Sequence, residues 1–211
     1  VKSASSIIVE PKNGKVPPLT PAGQARQMYS LARYVQADGP ERRPLGERCL
    51  LSFDSSAGPP MLPLLYNNMY QIVQTKDAVM IQIEMVHDTR IVSLNGKRPA
   101  GLRQWLGESI GRWEGDTLVI ETTNFRKDQV FRGAAENLKV TERLTRVGPN
   151  QIAYRFTIED PTTFTQPWSG ELAFNATQER MHEYACHEGN YALPGILAGA
   201  REQERTAAAK K

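Results

Sequence analysis

Leu138-Lys139-Val140-Thr141-Glu142-Arg143-Leu144-Thr145-Arg146-Val147 runs through Gly148-Pro149-Asn150 into Gln151-Ile152-Ala153-Tyr154-Arg155-Phe156-Thr157-Ile158-Glu159. Both runs alternate apolar and polar residues, the period of a strand with one buried face, and Gly-Pro-Asn is turn chemistry. The stretch therefore reads as an antiparallel hairpin. Successive side chains point to opposite faces of a strand, so Leu138, Val140, Glu142 and Leu144 share the inner face with Ile152, Tyr154, Phe156 and Ile158. One member is out of place. Glu142 is a carboxylate where burial demands a partner.

The same pattern extends in both directions. Met69–Gln74 and Val79–Ser93 flank a turn at Thr75-Lys76-Asp77-Ala78, and Ile110–Trp113 and Thr117–Thr123 flank Glu114-Gly115-Asp116. Trp168–Phe174 and Met181–Cys186 flank a polar turn around Asn175-Ala176-Thr177. About eight strands joined mostly by hairpins, with no alternating helices, predict a mainly β fold: an antiparallel meander closed as a calycin- or lipocalin-like barrel or half-barrel. A two-sheet sandwich is the alternative. Residues 1–40 read as an extended arm and a helix packed on the barrel. That helix starts at Thr20-Pro21, a capping hydroxyl before a first-turn proline, and stops at Asp38-Gly39-Pro40. Ala25, Met28, Ala32 and Val35 form its apolar face, expected to pack on the sheet. Residues 41–66 read as an irregular wrapping loop, 67–194 as the barrel, and 195–211 as a short C-terminal helix that frays.

At 211 residues, 40% hydrophobic and 23% charged, the composition is that of one globular domain. The net charge is only +3, and the densest basic group, Arg42-Arg43 with Arg48, is broken by Glu41, Pro44 and Glu47. That argues against a nucleic-acid surface. No run approaches the length of apolar sequence that spans a membrane. Nothing in the sequence sets the oligomeric state. Cys49 and Cys186 are the two cysteines, either a disulfide or two buried thiols; the disulfide suits an exported protein. Val1 in place of an initiator methionine is what a trimmed chain shows.

If Val79–Ser93 is one strand, Ile81, Ile83, Met85, His87, Thr89 and Ile91 face inward, with Asp88 and Arg90 outward. On the last segment parity offers two sets, one carrying His187 and the other Tyr184, Cys186 and Glu188. The expectation is that His87, Glu142 and His187 (or Glu188) converge inside the barrel as an acid–base site, histidine being the natural proton-transfer group near neutral pH. Arg90, Tyr184, Asn190, Asn124 at the rim and Tyr154 on the inner face are candidate substrate-binding residues. The plainer reading makes His87 a satisfied core histidine and pairs Glu142 with an inward Arg or Tyr. No cofactor is expected; the G-x-S-x-G nucleophile motif is missing, as are the P-loop and G-x-G-x-x-G. Metal-free chemistry is expected as well; a bound metal would take His87, His187 and Glu142, an acceptable ligand set for zinc or iron.

The strings GERCLLSF with GPPMLP, YNNMYQIVQT, EMVHDTRIV, GRWEGDTLVIETTNF, ERLTRV, EDPTTFTQPW and YACHEGNY resemble those of a family of exported bacterial proteins to which no activity is assigned. The likeness runs from about Ile8 to Arg201. It implies a secreted or periplasmic location and a disulfide-permitting compartment. The expected function is an exported β-barrel enzyme acting on a small cyclic or polyhydroxylated molecule by acid–base chemistry, as a lyase, isomerase or hydrolase. The alternatives are a non-catalytic, lipocalin-like small-ligand carrier and a His/Glu metal-dependent enzyme.

Overall fold

The structure, a computed structural model, describes residues 6–52, 58–96, 102–127 and 131–210. Nine strands form one sheet: β1 (Ile8–Glu10), β2 (Tyr70–Gln74), β3 (Ala78–Ile83), β4 (Thr89–Ser93), β5 (Glu108–Glu114), β6 (Thr117–Thr123), β7 (Lys139–Gly148), β8 (Gln151–Glu159) and β9 (Trp168–Asn175). Their spatial order is β1-β9-β8-β7-β6-β5-β4-β3-β2. Every pairing is antiparallel except β4–β5, which is parallel over Val92↔Ser109 and Ser93↔Ile110. Two α-helices, α1 (Pro21–Ala32) and α2 (Ala192–Ala209), and two single-turn 3-10 helices, Pro40–Arg42 and Met85–His87, complete the described elements.

The hairpin expected of Leu138–Glu159 forms, with Glu142 opposite Phe156 and Leu144 opposite Tyr154. Val140, Glu142, Leu144, Tyr154, Phe156 and Ile158 are all buried on one face. That face is filled by its own side chains. Trp168 meets Phe156 edge-on, with centroids 5.6 Å apart, and Ile81, Val92 and Ile120 join the same cluster. Gly170 opposes Phe156 because nothing larger fits: a Cβ there would sit 2.4 Å from the Phe156 ring.

The sheet is not closed into a barrel. Its edges, β1 and β2, are not hydrogen-bonded to one another. Side chains link β2 to the far end of the sheet: Tyr70 on β2 stacks on Phe174 of β9 at 5.2 Å, and Tyr154 stacks on the same ring at 5.1 Å. The expected strand Met181–Cys186 does not form. Ile8–Glu10 pairs with the Ser169–Gly170 end of that edge of β9, and the later segment pairs with no strand.

Val79–Ser93 is two strands rather than one. Val86 and His87 have φ of 56° and 53°, turning the chain back so that Ile81 lies opposite Arg90. Partners across an antiparallel pair share a face, so odd residues point inward on β3 and even ones on β4. Arg90 is therefore buried while Ile91 and His87 are exposed, the reverse of the single-strand expectation.

Helix α1 also differs from expectation. Thr20 accepts the Gly23 N–H at 3.1 Å, and buried Gly23 lies so close to Thr163 that a Cβ would sit 2.7 Å from its carbonyl oxygen. Arg26 adds hydrogen bonds to the Gly133 carbonyl and the Thr163 hydroxyl. Met28, Leu31 and Val35 face solvent. Polar contacts of its first turns hold the helix, and the predicted apolar face is not packed on the sheet. α2 is longer than the short helix expected, and none of its residues is buried.

Candidate functional site

Glu142 is fully buried and fully engaged. Arg90 donates to both carboxylate oxygens, at 2.5 and 2.7 Å, and the Tyr154 hydroxyl donates to Oε1 at 2.7 Å while accepting the Met61 N–H at 2.9 Å. Burial works against the Arg90 charge, but the neighbouring Glu142 carboxylate outweighs it and holds the guanidinium above its ordinary range. Burial likewise pushes the Tyr154 phenol well above its ordinary value, with the Glu142 charge adding to the effect. These three groups satisfy one another inside the core. The plainer reading of Glu142, a carboxylate paired with an inward Arg and Tyr, describes what the structure contains.

The expected convergence on Glu142 is not seen. His87 is exposed at the β3–β4 turn, and His187 and Glu188 are exposed in the last segment. The reversed parity of β4 is the reason for His87; the missing ladder is the reason for His187. The conditional metal set is accordingly not assembled. Among the described residues no group of three His, Cys, Asp or Glu side chains is placed to hold a metal ion.

The segment around Met181–Tyr191 is instead a strap. Cys186 is disulfide-bonded to Cys49 across 137 residues. The His182 N–H donates to buried Glu84 at 2.8 Å, and the Tyr184 N–H donates to His87 Nε2 at 3.2 Å. Tyr184 stacks beside Tyr66, and Asn190 donates to the Glu47 carbonyl at 2.6 Å and accepts the Leu193 N–H at the start of α2. Asn124, at φ 61°, donates to the Leu102 carbonyl at 3.1 Å. Tyr184, Asn190 and Asn124 therefore make structural hydrogen bonds between loops.

A cleft of about 1080 Å³ opens where β4 and β5 meet, lined by His87, Asp88, Ile91, Trp105 and Glu108 among others. The short parallel pairing creates it, because β4 extends past the start of β5 and leaves Thr89–Ile91 without a neighbour on that side. Glu108 sits at the first position of β5, opposite Thr123. The next residue, Ser109, shares a 2.8 Å hydroxyl bond with Thr122 on the buried face, so Glu108 points to the outer face. It is nevertheless only 7% exposed, and its Oε1 has no hydrogen-bond partner among the described residues. A buried carboxylate oxygen without a donor costs stability and marks a place where a ligand can supply one. Gly107 sets the approach: its φ is +68°, and a Cβ would lie 2.6 Å from the Thr123 carbonyl oxygen. Asp88, also buried, accepts the Ser52 N–H at 3.1 Å, and the Arg126 guanidinium lies 4.2 Å from the centre of the Trp105 ring.

Glu108 escapes a reading by periodicity because the apolar run of its strand starts only at Ile110. Asp88 falls on the outward parity set, and its burial by the front loop is a tertiary effect. The one legible signal is Gly107 immediately before a carboxylate and a strand. Comparison with known protein families, with curated proteins and with solved structures finds no match to this chain.

Proposed function

We propose that the cleft beside β4 and β5 is the working site of an enzyme that moves a proton on a small cyclic or polyhydroxylated molecule, in a lyase, isomerase or hydrolase type of reaction. The observation that carries this reading is the unpartnered, buried Glu108 oxygen at the cleft. A carboxylate held out of water with one open oxygen can accept a proton from a bound molecule and return it. Trp105 offers a flat apolar wall for a ring, and His87 lines the same cleft as a second proton-transfer group. A carrier with its ligand inside the barrel fits less well, because the inner face is packed with side chains. The disulfide belongs with an oxidising compartment. With the resemblance to exported bacterial proteins, it supports a secreted or periplasmic location.

The test is a turnover screen of lactones, uronides and cyclic polyols, with Glu108→Gln alongside the parent. The expected result is a loss of about 10²- to 10⁴-fold in turnover, with the near-ultraviolet circular dichroism unchanged. A Glu108→Gln protein that turns over a found substrate at the parental rate would falsify the proposal.

A further inference from the structure

A second hollow, about 440 Å³, lies between α1 and the front loop and shares Trp105 and Arg126 with the cleft. Among the described residues its lining carries six cationic side chains, Arg26, Arg33, Arg42, Arg48, Arg126 and Lys127, against one carboxylate, Glu41, and Arg126 makes a further interaction of its own. The chain as a whole carries a net charge of only +3, so this imbalance is local. Like charges gathered in a concave surface repel one another, and the arrangement is favourable when an anion occupies it.

Two of the cations are fixed by neutral groups rather than by acids. Arg33 donates to the carbonyls of Glu41, Arg42 and Arg43, and Arg26 to those of Gly133 and Thr162. Their charges are positioned but not neutralised. Among the described residues the side chains of Arg48 and Lys127 make no hydrogen bond or ion pair, and Arg48 adjoins disulfide-bonded Cys49, which restrains the backbone that carries it. Guanidinium groups bind carboxylate, phosphate and sulfate through paired N–H donors.

We infer that this hollow is an oxyanion subsite, and that the molecule acted on carries a carboxylate, phosphate or sulfate group. The anionic group is held by Arg48 and Lys127 in the field of the fixed arginines, and the rest of the molecule passes Trp105 to reach Glu108. The assignment rests on the proposed reaction for its second half only; anion binding stands on the hollow itself.

Trp105 lines both spaces and reports on binding through its fluorescence. Titration at low ionic strength with inorganic phosphate, D-glucuronate and uncharged D-glucose is the direct test. Phosphate or glucuronate is expected to give a saturable change, absent in Trp105→Phe, and weakened about tenfold or more in Arg48→Gln/Lys127→Gln, while glucose gives none. A response to phosphate alone identifies a phosphorylated or sulfated ligand, and a response to glucuronate a carboxylated one; either supports the subsite. The inference is overturned if the double variant binds both anions as the parent does, or if neither gives a saturable change. Glu108→Gln separates the two readings. Loss of turnover with anion binding intact is expected; anion binding intact with turnover unaffected removes the reaction but leaves the subsite.

Discussion

Arg90 and the Tyr154 hydroxyl tie the Glu142 carboxylate into the core. Strand parity puts it on the inner face together with Tyr154, and both are buried there. Its partner Arg90 was hidden by the β3–β4 turn, because no residue type between Ile83 and Thr89 announces a reversal; Val86 and His87 adopt positive φ without a glycine. A buried ion pair is costly to break from one side and cheap to replace as a whole, since removing one partner strands a charge in the core. Glu142→Ala is therefore expected to lower unfolding stability by about 3–5 kcal/mol, read as a shift in the denaturant midpoint. Arg90→Met with Glu142→Leu should recover most of that loss. A double variant no more stable than Glu142→Ala would show that the Tyr154 and Met61 bonds, rather than charge pairing, hold this part of the core.

Among the elements, β1 depends on its surroundings most. It has three residues, and Glu10 at its end is tied to Arg155 at 2.9 Å and to the Ser169 hydroxyl at 3.1 Å. The hydrogen bond from Arg155, with that from Ser169, holds the Glu10 carboxyl below the usual carboxylate range. A folded-state value below the unfolded one contributes stability that is present above the unfolded value and is lost as the pH falls through the folded value. Acidification from pH 6 to pH 3 is thus expected to loosen β1 from β9. The Glu171 amide, which donates to the Ile7 carbonyl, should lose exchange protection, and Glu10→Gln should remove that pH dependence. A protection factor that stays flat across this range in the parent would refute the linkage. The pairing of β1 with β9 was illegible in the sequence for a related reason. Ile7-Ile8-Val9 reads as a short extended arm, and nothing local in it names a partner some 160 residues away, estimated from the chain order. Helix α1 shows the opposite error: its cap and start were legible from Thr20-Pro21, but its apolar spacing predicted a packing that polar contacts at Gly23 and Arg26 replace.

For the whole molecule, the antiparallel hairpins could be read because each turn lies beside the strands it joins, as at Glu114-Gly115-Asp116. The parallel β4–β5 contact and the open edge between β1 and β2 could not, since both depend on how distant strands are brought side by side. The cleft follows from the first of these, which is why its carboxylate went unread while the core carboxylate did not. One long-range link was anticipated as an alternative, the Cys49–Cys186 bridge. Closing 137 residues restricts the unfolded chain, and in the chain-entropy model contributes at most about 5 kcal/mol. Replacing both cysteines with serine is expected to lower the thermal midpoint and to free the strap, so that the Tyr184 amide exchanges earlier than those of β7. A double serine variant with unchanged midpoint and unchanged Tyr184 exchange would mean that the hydrogen bonds of Glu84, His87 and Asn190 hold the strap unaided.

That bridge also makes the backbone from Cys49 to Cys186 a covalent circle. Eight of the nine strands, β2 to β9, lie on its circumference, and β1 and both helices hang from it as tails. A single nick anywhere on the circle leaves the two pieces joined in one molecule, with the proposed site still attached to both. Cuts in the tails release fragments outright. In an environment rich in proteases, the sheet can thus sustain a break that would sever an open chain, provided the bridge remains oxidised.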